Sequence, residues 1–299
     1  MKLSRFLSIA AVAALGSTAF GAAPAAPGLK KIGISDVKPT PAIVAKAESN
    51  GTRNSIERIV QGLDSQLIDR VHSTRKFDVI ARSDLSSILK EHDFTGGTFK
   101  VSGVDYLLVT SIDDFQDYSE TRLFPAIGKS ASWRIIRLSA VGKIYETATG
   151  RLLESANFPL EIRDQEENAS NDRKNGELSD RLLEDITNQM ADKIANRVVD
   201  VIYPARVIAK MDKQVTINRG DGTDIAVGQV WNVYALGQEL VDPDTGASLG
   251  REELRVGQVR IRRITPKFSV ADILEDTGID MNAILRPAPA PAPASAPAQ

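Results

Sequence analysis

The side chains that most often carry catalysis or bind metals are few in this sequence and well separated along it. The chain has no cysteine, which excludes disulfides, thiolate metal sites and cysteine nucleophiles. Its two histidines, His72 and His92, fall near the ends of predicted helices, with no histidine or carboxylate at metal-ligand spacing. Neither a Gly-x-Ser-x-Gly nucleophile elbow nor a Gly-rich phosphate-binding loop ending in Gly-Lys-Ser/Thr is present. The sequence therefore predicts a protein that is not an enzyme and has no catalytic, cofactor-binding or metal site.

Two acidic stretches come nearest to a chemical motif. Asp113, Asp114 and Asp117 follow a predicted strand, and three carboxylates that met in a pocket would suit acid/base catalysis. We expect them instead on a solvated surface loop. Residues 242–253 place acids at the first, third and last positions of a calcium loop, but the central glycine comes one residue early and the flanks read as strands. A tight hairpin turn at 242–246 is the favoured interpretation.

A group of arginines near the end of the chain is the main basic feature. On a strand, Arg260 and Arg262 share one face while Val259 and Ile261 fill the other. An exposed sheet face is favoured over a binding site for an anionic polymer. The formal net charge of −2 at pH 7 gives no general attraction to nucleic acid or to an anionic membrane. The group comprises Arg255, Arg260, Arg262 and Arg263.

An apolar cluster follows the acidic run. Leu123, Phe124 and Ile127 stand beside Pro125 and Gly128, which favour a turn. The cluster is too short to form two membrane-spanning strands, each of which needs about 9–11 residues. We interpret Leu123, Phe124 and Ile127 as a docking loop for a partner protein, or as side chains that pack on their own domain.

The elements around these residues predict an α/β unit. Residues 77–82 form a strand, 83–91 a short helix capped by Ser83, and 104–112 a strand apolar enough to be central in a sheet. The other predicted elements are a strand at 31–37, an irregular connection at 39–51 with one helical turn at 42–47, a long helix from Thr52, antiparallel strands at 132–145 and 151–162 joined at Thr149 and Gly150, an exposed loop at 163–177 and a helix at 178–202.

The pattern changes after Pro204, which ends the last helix and marks a predicted domain boundary. Short strands punctuated by glycine follow at 215–217, 229–235, 239–241 and 257–264, a spacing that suits a small antiparallel barrel over 204–275. Residues 276–299 are predicted to be an Ala/Pro-rich disordered tail, whose prolines favour polyproline II. The tail is either a spacer or a bare terminus.

The first residues have the pattern of a processing segment. Lys2 and Arg5 precede an apolar run from Phe6 to Gly16, and small residues at Ala19 and Gly21 suit cleavage. We predict a signal peptide at 1–22 and a linker at 23–30. Because no lipidation cysteine follows, we expect the mature protein to be soluble in the periplasm and not a lipoprotein.

Several motifs carry a resemblance to known families. F-D-V-I-A-R at 77–82, S-D-L-S-S-I-L-K-E at 83–91 and G-V-D-Y-L-L-V-T-S-I at 103–112 resemble the periplasmic domain of the curli-secretion (CsgG) family. They are also similar to modules in flagellar-assembly T (FlgT) proteins and in lipoprotein activators of peptidoglycan synthases. The hairpin at 145–155 resembles the same family, with Glu146 where an aspartate is usual. This resemblance covers residues 31–203. V-T-I-N at 215–218, V-G-Q-V-W-N-V-Y at 227–234, D-P-D-T-G at 242–246 and V-G-Q-V-R-I at 256–261 resemble the FlgT C-terminal domain, and this second resemblance covers residues 204–275.

The resemblance implies a fold and a role. The fold is α+β, an α/β sandwich in which a mixed sheet carries helices on one face, followed by a small all-β barrel-like domain. The role is that of a non-enzymatic assembly or scaffold component of an outer-membrane-associated complex, acting through contacts with envelope, flagellar or secretion proteins, and homo-oligomerisation is open. The alternatives are a curli-type secretion channel subunit, a regulator of cell-wall synthesis and an unrecognised envelope enzyme. Neither a nucleic-acid partner nor a transmembrane segment in the mature chain is expected.

Overall fold

The computed structural model describes residues 28–80, 103–165 and 178–289. These residues form two six-stranded sheets and three α-helices, so the α+β fold class is confirmed. The predicted signal peptide, most of the linker at 23–30, the helix at 83–91 with His92, most of the loop at 163–177 and the tail from residue 290 lie outside the described residues.

The first unit, residues 28–203, contains one sheet and all three described helices. Its elements are β1 Lys30–Ile34, β2 Lys38–Pro39, α1 Pro41–Asn50, α2 Arg53–Ser73, β3 Phe77–Ile80, β4 Tyr106–Phe124, β5 Lys129–Glu146, β6 Arg151–Gln165 and α3 Asp180–Ile202, with a one-turn 3-10 helix, Pro125–Ile127, between β4 and β5.

The sheet of the first unit is mixed. Its strand order is β3-β1-β4-β5-β6, with β2 paired to β4. β1 runs parallel to both β3 and β4, whereas β4, β5 and β6 are antiparallel neighbours. The predicted central position of the strand at 104–112 is therefore confirmed, because β4 lies third in the order of five. The predicted turn at Thr149 and Gly150 joins β5 to β6, with Gly150 at φ +71°.

The helices pack against the sheet in a single apolar core. The predicted stripe of α2 supplies Ile59, Leu63 and Leu67, which have no exposed surface. Ser179 caps α3, its hydroxyl accepting from the Leu182 N–H at 3.3 Å. Burying each large aliphatic side chain contributes about 1.5–3 kcal/mol, which makes this core the main source of the first unit's stability. Other members are Ile32, Leu108, Ile112, Ile186, Met190 and Ile194.

The connection at 39–51 differs from the sequence prediction, which allowed only one helical turn there. α1 spans ten residues, Pro41–Asn50. Pro41 is at the start of the helix, where the missing N–H has no helical partner to lose. Ile43 and Ala47 lie four residues apart and are buried in the core, and Gly51 ends the helix in the left-handed region at φ +69°. Burial of Ile43 and Ala47 on one face of α1 therefore stabilises a helix that the local sequence predicts only weakly.

The acidic run also differs from the prediction, because it lies within a strand and not on a surface loop. β4 continues through Asp113, Asp114 and Asp117 to Phe124. Its pairing with β5 shifts by one residue between Ile112 and Asp114, which leaves Asp113 as the extra residue of a bulge. Ile112 and Phe115 are three residues apart, yet both side chains enter the core, because the extra residue at 113 reverses the alternation of the strand's two faces. The strand therefore continues beyond the bulge.

The second unit follows Tyr203 and consists of one antiparallel sheet. Its strands are β7 Val207–Met211, β8 Gln214–Ile217, β9 Val230–Val241, β10 Ser248–Ile264, β11 Ser269–Asp276 and β12 Ile284–Pro287, in the order β12-β9-β10-β11-β8-β7. The two strands predicted at 229–235 and 239–241 are one strand, β9. The structure does not confirm a closed barrel: within the described residues, β7 and β12 are not paired as neighbouring strands, and an isolated bridge, Arg206 to Ile284, and a few backbone hydrogen bonds join the segments at their ends.

Residues 276–289 belong to the second unit, although the sequence placed them in the disordered tail. β12 pairs with β9, and Leu285 is 3% exposed. Ile279 and Ala283 also enter the second core, whose members run from Ala205 to Leu285. Ile279, Ala283 and Leu285 therefore anchor residues 276–289 to the second unit, although their spacing does not predict a strand. None of the described helices combines the length and the apolar composition needed to cross a membrane.

Candidate functional site

The β4–β5 hairpin projects the predicted docking residues away from the first unit. Residues 114–124 of β4 pair continuously with residues 129–139 of β5, and we call this outer hairpin the arm. β6 accompanies β5 as far as the pair Trp133–Gln165. The last four β4–β5 pairs lie beyond that pair, so among the described residues the end of the arm is a two-stranded ribbon.

The end of the arm, which we call the tip, spans residues 121–132. Leu123 is 70% exposed and Phe124 is 42% exposed. The Phe124 ring contacts the Trp133 ring edge-on, with centroids 6.4 Å apart. The backbone of Ile127 lies in the 3-10 turn, which Gly128 ends at φ +62°. The side chain of Ile127 is not among the described residues' side chains. Of the two alternatives left open by the sequence, packing on the same domain does not describe Leu123, which is largely exposed; the docking role stays a prediction.

A buried ion pair holds the arm in shape. Arg134 of β5 donates from Nε to Asp117 Oδ1 at 2.8 Å and from Nη2 to Asp117 Oδ2 at 2.6 Å. The two side chains are only 12% and 8% exposed. Paired hydrogen bonds of this kind fix the relative orientation of the two groups as well as their distance. Asp117 is thus a structural residue that ties the two strands of the arm together.

The opposite face of the arm carries a second, exposed network. Glu161 of β6 accepts from Arg137 Nε at 2.8 Å and from Arg163 Nε at 2.7 Å. These hydrogen bonds lower the pKa of Glu161 and raise the pKa of Arg137 and of Arg163. The Arg137 guanidinium also lies 5.6 Å from the centre of the Tyr118 ring. Charges therefore occupy both faces of the described arm.

The three aspartates of the acidic run do not form one site. Asp117 binds Arg134, Asp114 lies 3.5 Å from Lys46 Nζ of α1, and Asp113 is exposed on the bulge. Among the described residues, no group of three or more histidine or acidic side chains is close enough to hold a metal ion.

The remaining sequence candidates have structural roles. At the predicted hairpin turn, Asp242 Oδ1 accepts from the Asp244 N–H at 2.9 Å, and this bond lowers the pKa of Asp242. Arg260 and Arg262 lie on the exposed face of β10 as predicted, while Val259 and Ile261 are buried. Two further arginine contacts are Arg262 to Asp272 at 3.5 Å and Arg255 to Glu275 at 2.6 Å.

The two units meet at a polar contact that we call the seam. Arg219, 2% exposed, donates from Nη2 to Asp200 Oδ1 of α3 at 2.6 Å, and burial lowers the pKa of Arg219. Lys76 Nζ donates to the Asn218 carbonyl at 2.6 Å, and Arg75 Nη1 donates to the Pro266 carbonyl at 3.2 Å.

Close backbone approach also defines the seam. Gly222 has φ +81°, and a Cβ at this position would stand 2.4 Å from the Ser73 carbonyl oxygen. Gly220 is similarly confined, since a Cβ there would stand 2.7 Å from backbone atoms of Lys267. Only glycine fits both positions without a shift of the neighbouring chain.

A cleft of about 800 Å³ opens beside the seam. Its basic lining residues are Lys30, His72, Arg75, Lys76 and Lys267, and its apolar ones include Leu29, Phe77 and Tyr203. The Phe77 and Tyr203 rings pack with centroids 5.3 Å apart. Burial lowers the pKa of Lys76, with a further contribution from the charge of Arg219, and burial raises the pKa of Tyr203.

Sequence reasoning assigned His72 no role and missed the cleft altogether. The structure brings His72 together with residues almost two hundred positions away, such as Lys267. The Arg219-Gly-Asp-Gly stretch fell between the strands predicted at 215–217 and 229–235 and was assigned no role. Its two glycines on either side of an aspartate were the one local signal that a close approach occurs there.

Comparisons with known proteins give distant likenesses at very low identity. No protein-family model matches the sequence, and no curated protein matches it. The chain is similar to a solved hypothetical protein from Chlamydia trachomatis, at 10% identity and TM-score 0.36, over 59% of this chain and 99% of that one. It is also similar to a PelC dodecamer from Paraburkholderia phytofirmans, at 9% identity and TM-score 0.29, over 56% and 84%. A minor lipoprotein from Acinetobacter baumannii matches at 11% identity and TM-score 0.29, over 57% and 94%. These TM-scores are too low for any inference about fold or function.

Proposed function

We propose that this chain is a non-enzymatic assembly component of the bacterial cell envelope, which acts in the periplasm by docking the tip of its arm into an apolar pocket of another envelope protein. The observation that supports the proposal is the exposure of Leu123 and Phe124 at the end of a projecting hairpin. Burying each of these side chains in a partner would contribute up to about 1.5–3 kcal/mol, and every 1.4 kcal/mol is roughly a tenfold gain in affinity.

The arm suits docking because its geometry is set before a partner arrives. The Arg134–Asp117 pair and the Phe124–Trp133 contact hold the ribbon on which the tip residues stand. Binding by a segment that is already ordered loses less conformational entropy than binding by one that must fold. The tip therefore needs little additional contact area to bind with useful affinity.

Site-specific photocrosslinking in intact cells tests the proposal. A photoreactive residue replaces Leu123 in one strain and Met211 in another, since Met211 is 75% exposed but belongs to β7 of the second unit. We expect the Leu123 position to crosslink a specific envelope protein that the Met211 position does not. Identical crosslinked species at both positions would contradict the proposal.

The affinity for the crosslinked partner provides the quantitative part of the test. With both proteins purified, Leu123→Ser combined with Phe124→Ser should weaken binding by about 100-fold or more, because two apolar anchors are lost. Met211→Ser is the matched control and should leave the affinity unchanged. An unchanged affinity in the double variant would show that the tip is not the docking surface.

The periplasmic location belongs to the same proposal. It rests on the pattern of residues 1–22, and it predicts a mature N-terminus within a few residues of Ala22. Mass spectrometry of the protein purified from fractionated cells checks this. Recovery of the intact Met1 terminus in the membrane fraction would contradict it. Homo-oligomerisation stays a prediction.

A curli-type channel subunit and an envelope enzyme are the alternative roles. Arg134 and Arg137 lie on opposite faces of β5, and a lipid-facing arginine costs roughly 2–4 kcal/mol near the bilayer centre. We therefore expect purified protein to give no discrete conductance in planar bilayers. Reproducible single-channel steps would favour the channel role over docking.

We also propose that the second unit is barrel-like, as the resemblance to the FlgT C-terminal domain implies. Support comes from backbone hydrogen bonds between edge strand β7 and the residues just before β12: the Val207 N–H donates to the Ala283 carbonyl, and the Asn282 N–H donates to the Val207 carbonyl. Hydrogen exchange measured by NMR should show protection of the Val207 and Asn282 amides equal to that of β10 amides. Fast exchange at both would contradict closure.

A further inference from the structure

The cleft beside the seam concentrates positive charge. Lys30, Arg75, Lys76 and Lys267 line it together with His72, and no aspartate or glutamate is among its described lining residues. Clefts lined by one sign of charge raise the local concentration of oppositely charged solutes. This arrangement contrasts with the net negative charge of the whole chain.

The hydrogen bonds of these cations leave their charge available. Arg75 and Lys76 donate to backbone carbonyls, which are neutral acceptors. Lys30 is the exception, with Nζ 3.8 Å from Asp105. Within the described ranges, Arg75, Lys76 and Lys267 make no ion pair with a carboxylate. Burial, with a smaller contribution from the charge of Arg219, lowers the pKa of Lys76, and a bound anion would favour the charged form of this side chain.

The rest of the lining is apolar. Leu29 is 58% exposed at the entrance, and the Tyr203 ring is only partly buried where it packs on Phe77. The volume of about 800 Å³ is within the roughly 300–1,000 Å³ range of pockets for small organic ligands. A simple inorganic ion would leave most of this space and all of its apolar surface unused.

We propose that the cleft binds a small organic anion, such as a phosphate or carboxylate, that carries an apolar or aromatic group. The anionic group meets Arg75, Lys76 and Lys267, and the apolar group covers Leu29 and Tyr203. The proposal depends on neither the tip nor a partner protein, so it stands or falls separately from the proposed function.

Isothermal titration calorimetry with three probes tests the ligand class. The probes are 1-naphthyl phosphate, which has both features, inorganic phosphate, which has only the charge, and 1-naphthol, which has only the ring. We expect 1-naphthyl phosphate to bind the intact mature protein at least tenfold more tightly than either of the others. Its affinity should fall as salt rises from about 0.02 M to about 0.2 M, because counterions screen the cleft. Equal affinities for the three probes, or no binding at all, would overturn the proposal.

Exposed lysines provide matched variants. Lys267→Gln removes a charge from the cleft, and Lys213→Gln removes one from the turn between β7 and β8, outside the cleft. The first should weaken 1-naphthyl phosphate binding about two- to fivefold, as for a partly exposed ion pair, and the second should have no effect. Both variants should keep the wild-type thermal midpoint, which separates a binding effect from misfolding. Equal effects of the two variants would contradict the assignment to the cleft.

The same chemistry occurs in a free metabolite and in a lipid headgroup with its chain, and vesicles distinguish the two sources. Co-sedimentation with phosphatidylglycerol vesicles, with phosphatidylcholine vesicles as control, should be absent if the ligand is a free molecule. Co-sedimentation that Lys267→Gln reduces and Lys213→Gln does not would support the cleft and assign it to a lipid.

Discussion

At the seam, the backbones of the two units approach so closely that residue 222 must be glycine, and a buried arginine meets a half-exposed carboxylate. On the arm, the turn glycine Gly128 has no atom within 4 Å of its would-be Cβ, and the buried pair joins two neighbouring strands. Steric fit between distant segments specifies the seam, whereas side-chain pairing specifies the arm. The two regions should therefore respond differently to small substitutions.

The largest difference is expected for glycine. Gly222→Ala should lower the free energy of unfolding by about 2–5 kcal/mol, because the left-handed conformation costs about 1–2 kcal/mol and the clash with the Ser73 carbonyl adds about 1–3. Gly128→Ala, at φ +62° in open space, should show only the conformational cost.

Each unit has one tryptophan, Trp133 on β5 and Trp231 on β9, so urea unfolding can be followed region by region. A Trp133→Phe background reports on the second unit, and a Trp231→Phe background reports on the arm. Equal losses from the two glycine substitutions would contradict the close approach at the seam.

The next effect concerns the arm. Asp117→Asn should lower the free energy of unfolding by about 2–4 kcal/mol, because it leaves the charge of Arg134 in a nearly buried position without its carboxylate. Glu161→Gln is the control, since it weakens an exposed pair on the other face and should have a much smaller effect than Asp117→Asn. Trp133 fluorescence in urea measures both. A loss in Glu161→Gln as large as in Asp117→Asn would show that burial of the pair is unimportant.

A smaller effect is expected at the seam's ion pair. Asp200→Asn should cost about 1–3 kcal/mol, because Arg219 is buried but Asp200 is 55% exposed and water can partly replace it. Glu275→Gln, which weakens the exposed pair with Arg255, should cost less than about 1 kcal/mol. Chemical denaturation followed by Trp231 checks the pair. If Asp200→Asn is neutral, the ion pair does not hold the seam.

The smallest expected effect is a pH dependence of stability that arises at Asp276, outside both the seam and the arm. Lys210 Nζ and the N–H groups of Ile279 and Gly278 lower the pKa of Asp276 from 3.8 to about 2. Because the pKa is depressed in the folded state, this contribution to stability is present above about pH 4 and is lost as the pH falls towards 2. Asp276→Asn should remove this part of the pH dependence. Carboxyl NMR titration of the wild type measures the pKa directly, and a value near 3.8 would contradict the assignment.

The sequence predicted the elements whose own residues determine them. The stripe of α2, the long helix α3, the central strand β4 and the hairpin turn at Gly150 all follow from local periodicity and turn chemistry. Its errors arose where a distant partner overrides the local pattern. The acidic run looked like a loop because the bulge at Asp113 and the pairing of Asp117 with Arg134 lie outside any local window.

The two candidate sites also differ in how far the local sequence predicts them. Leu123 and Phe124 were found from sequence because an apolar cluster beside a proline and a glycine is unusual in a polar stretch. The cleft was not found, because Arg75, Tyr203 and Lys267 come from three separate parts of the chain and none belongs to a motif. Charges that converge only after folding leave no pattern in a single sequence.

The strand that carries the tip is also the strand that organises the first sheet. β4 pairs in parallel with β1 near its start and antiparallel with β5 along its length. A tensile load applied to the tip along the strand direction would act on both sets of hydrogen bonds in shear, so many bonds would have to break together rather than one after another. A partner pulling on Leu123 would in this way transmit force along β4 to the centre of the sheet, past the bulge at Asp113 where the pairing with β5 shifts.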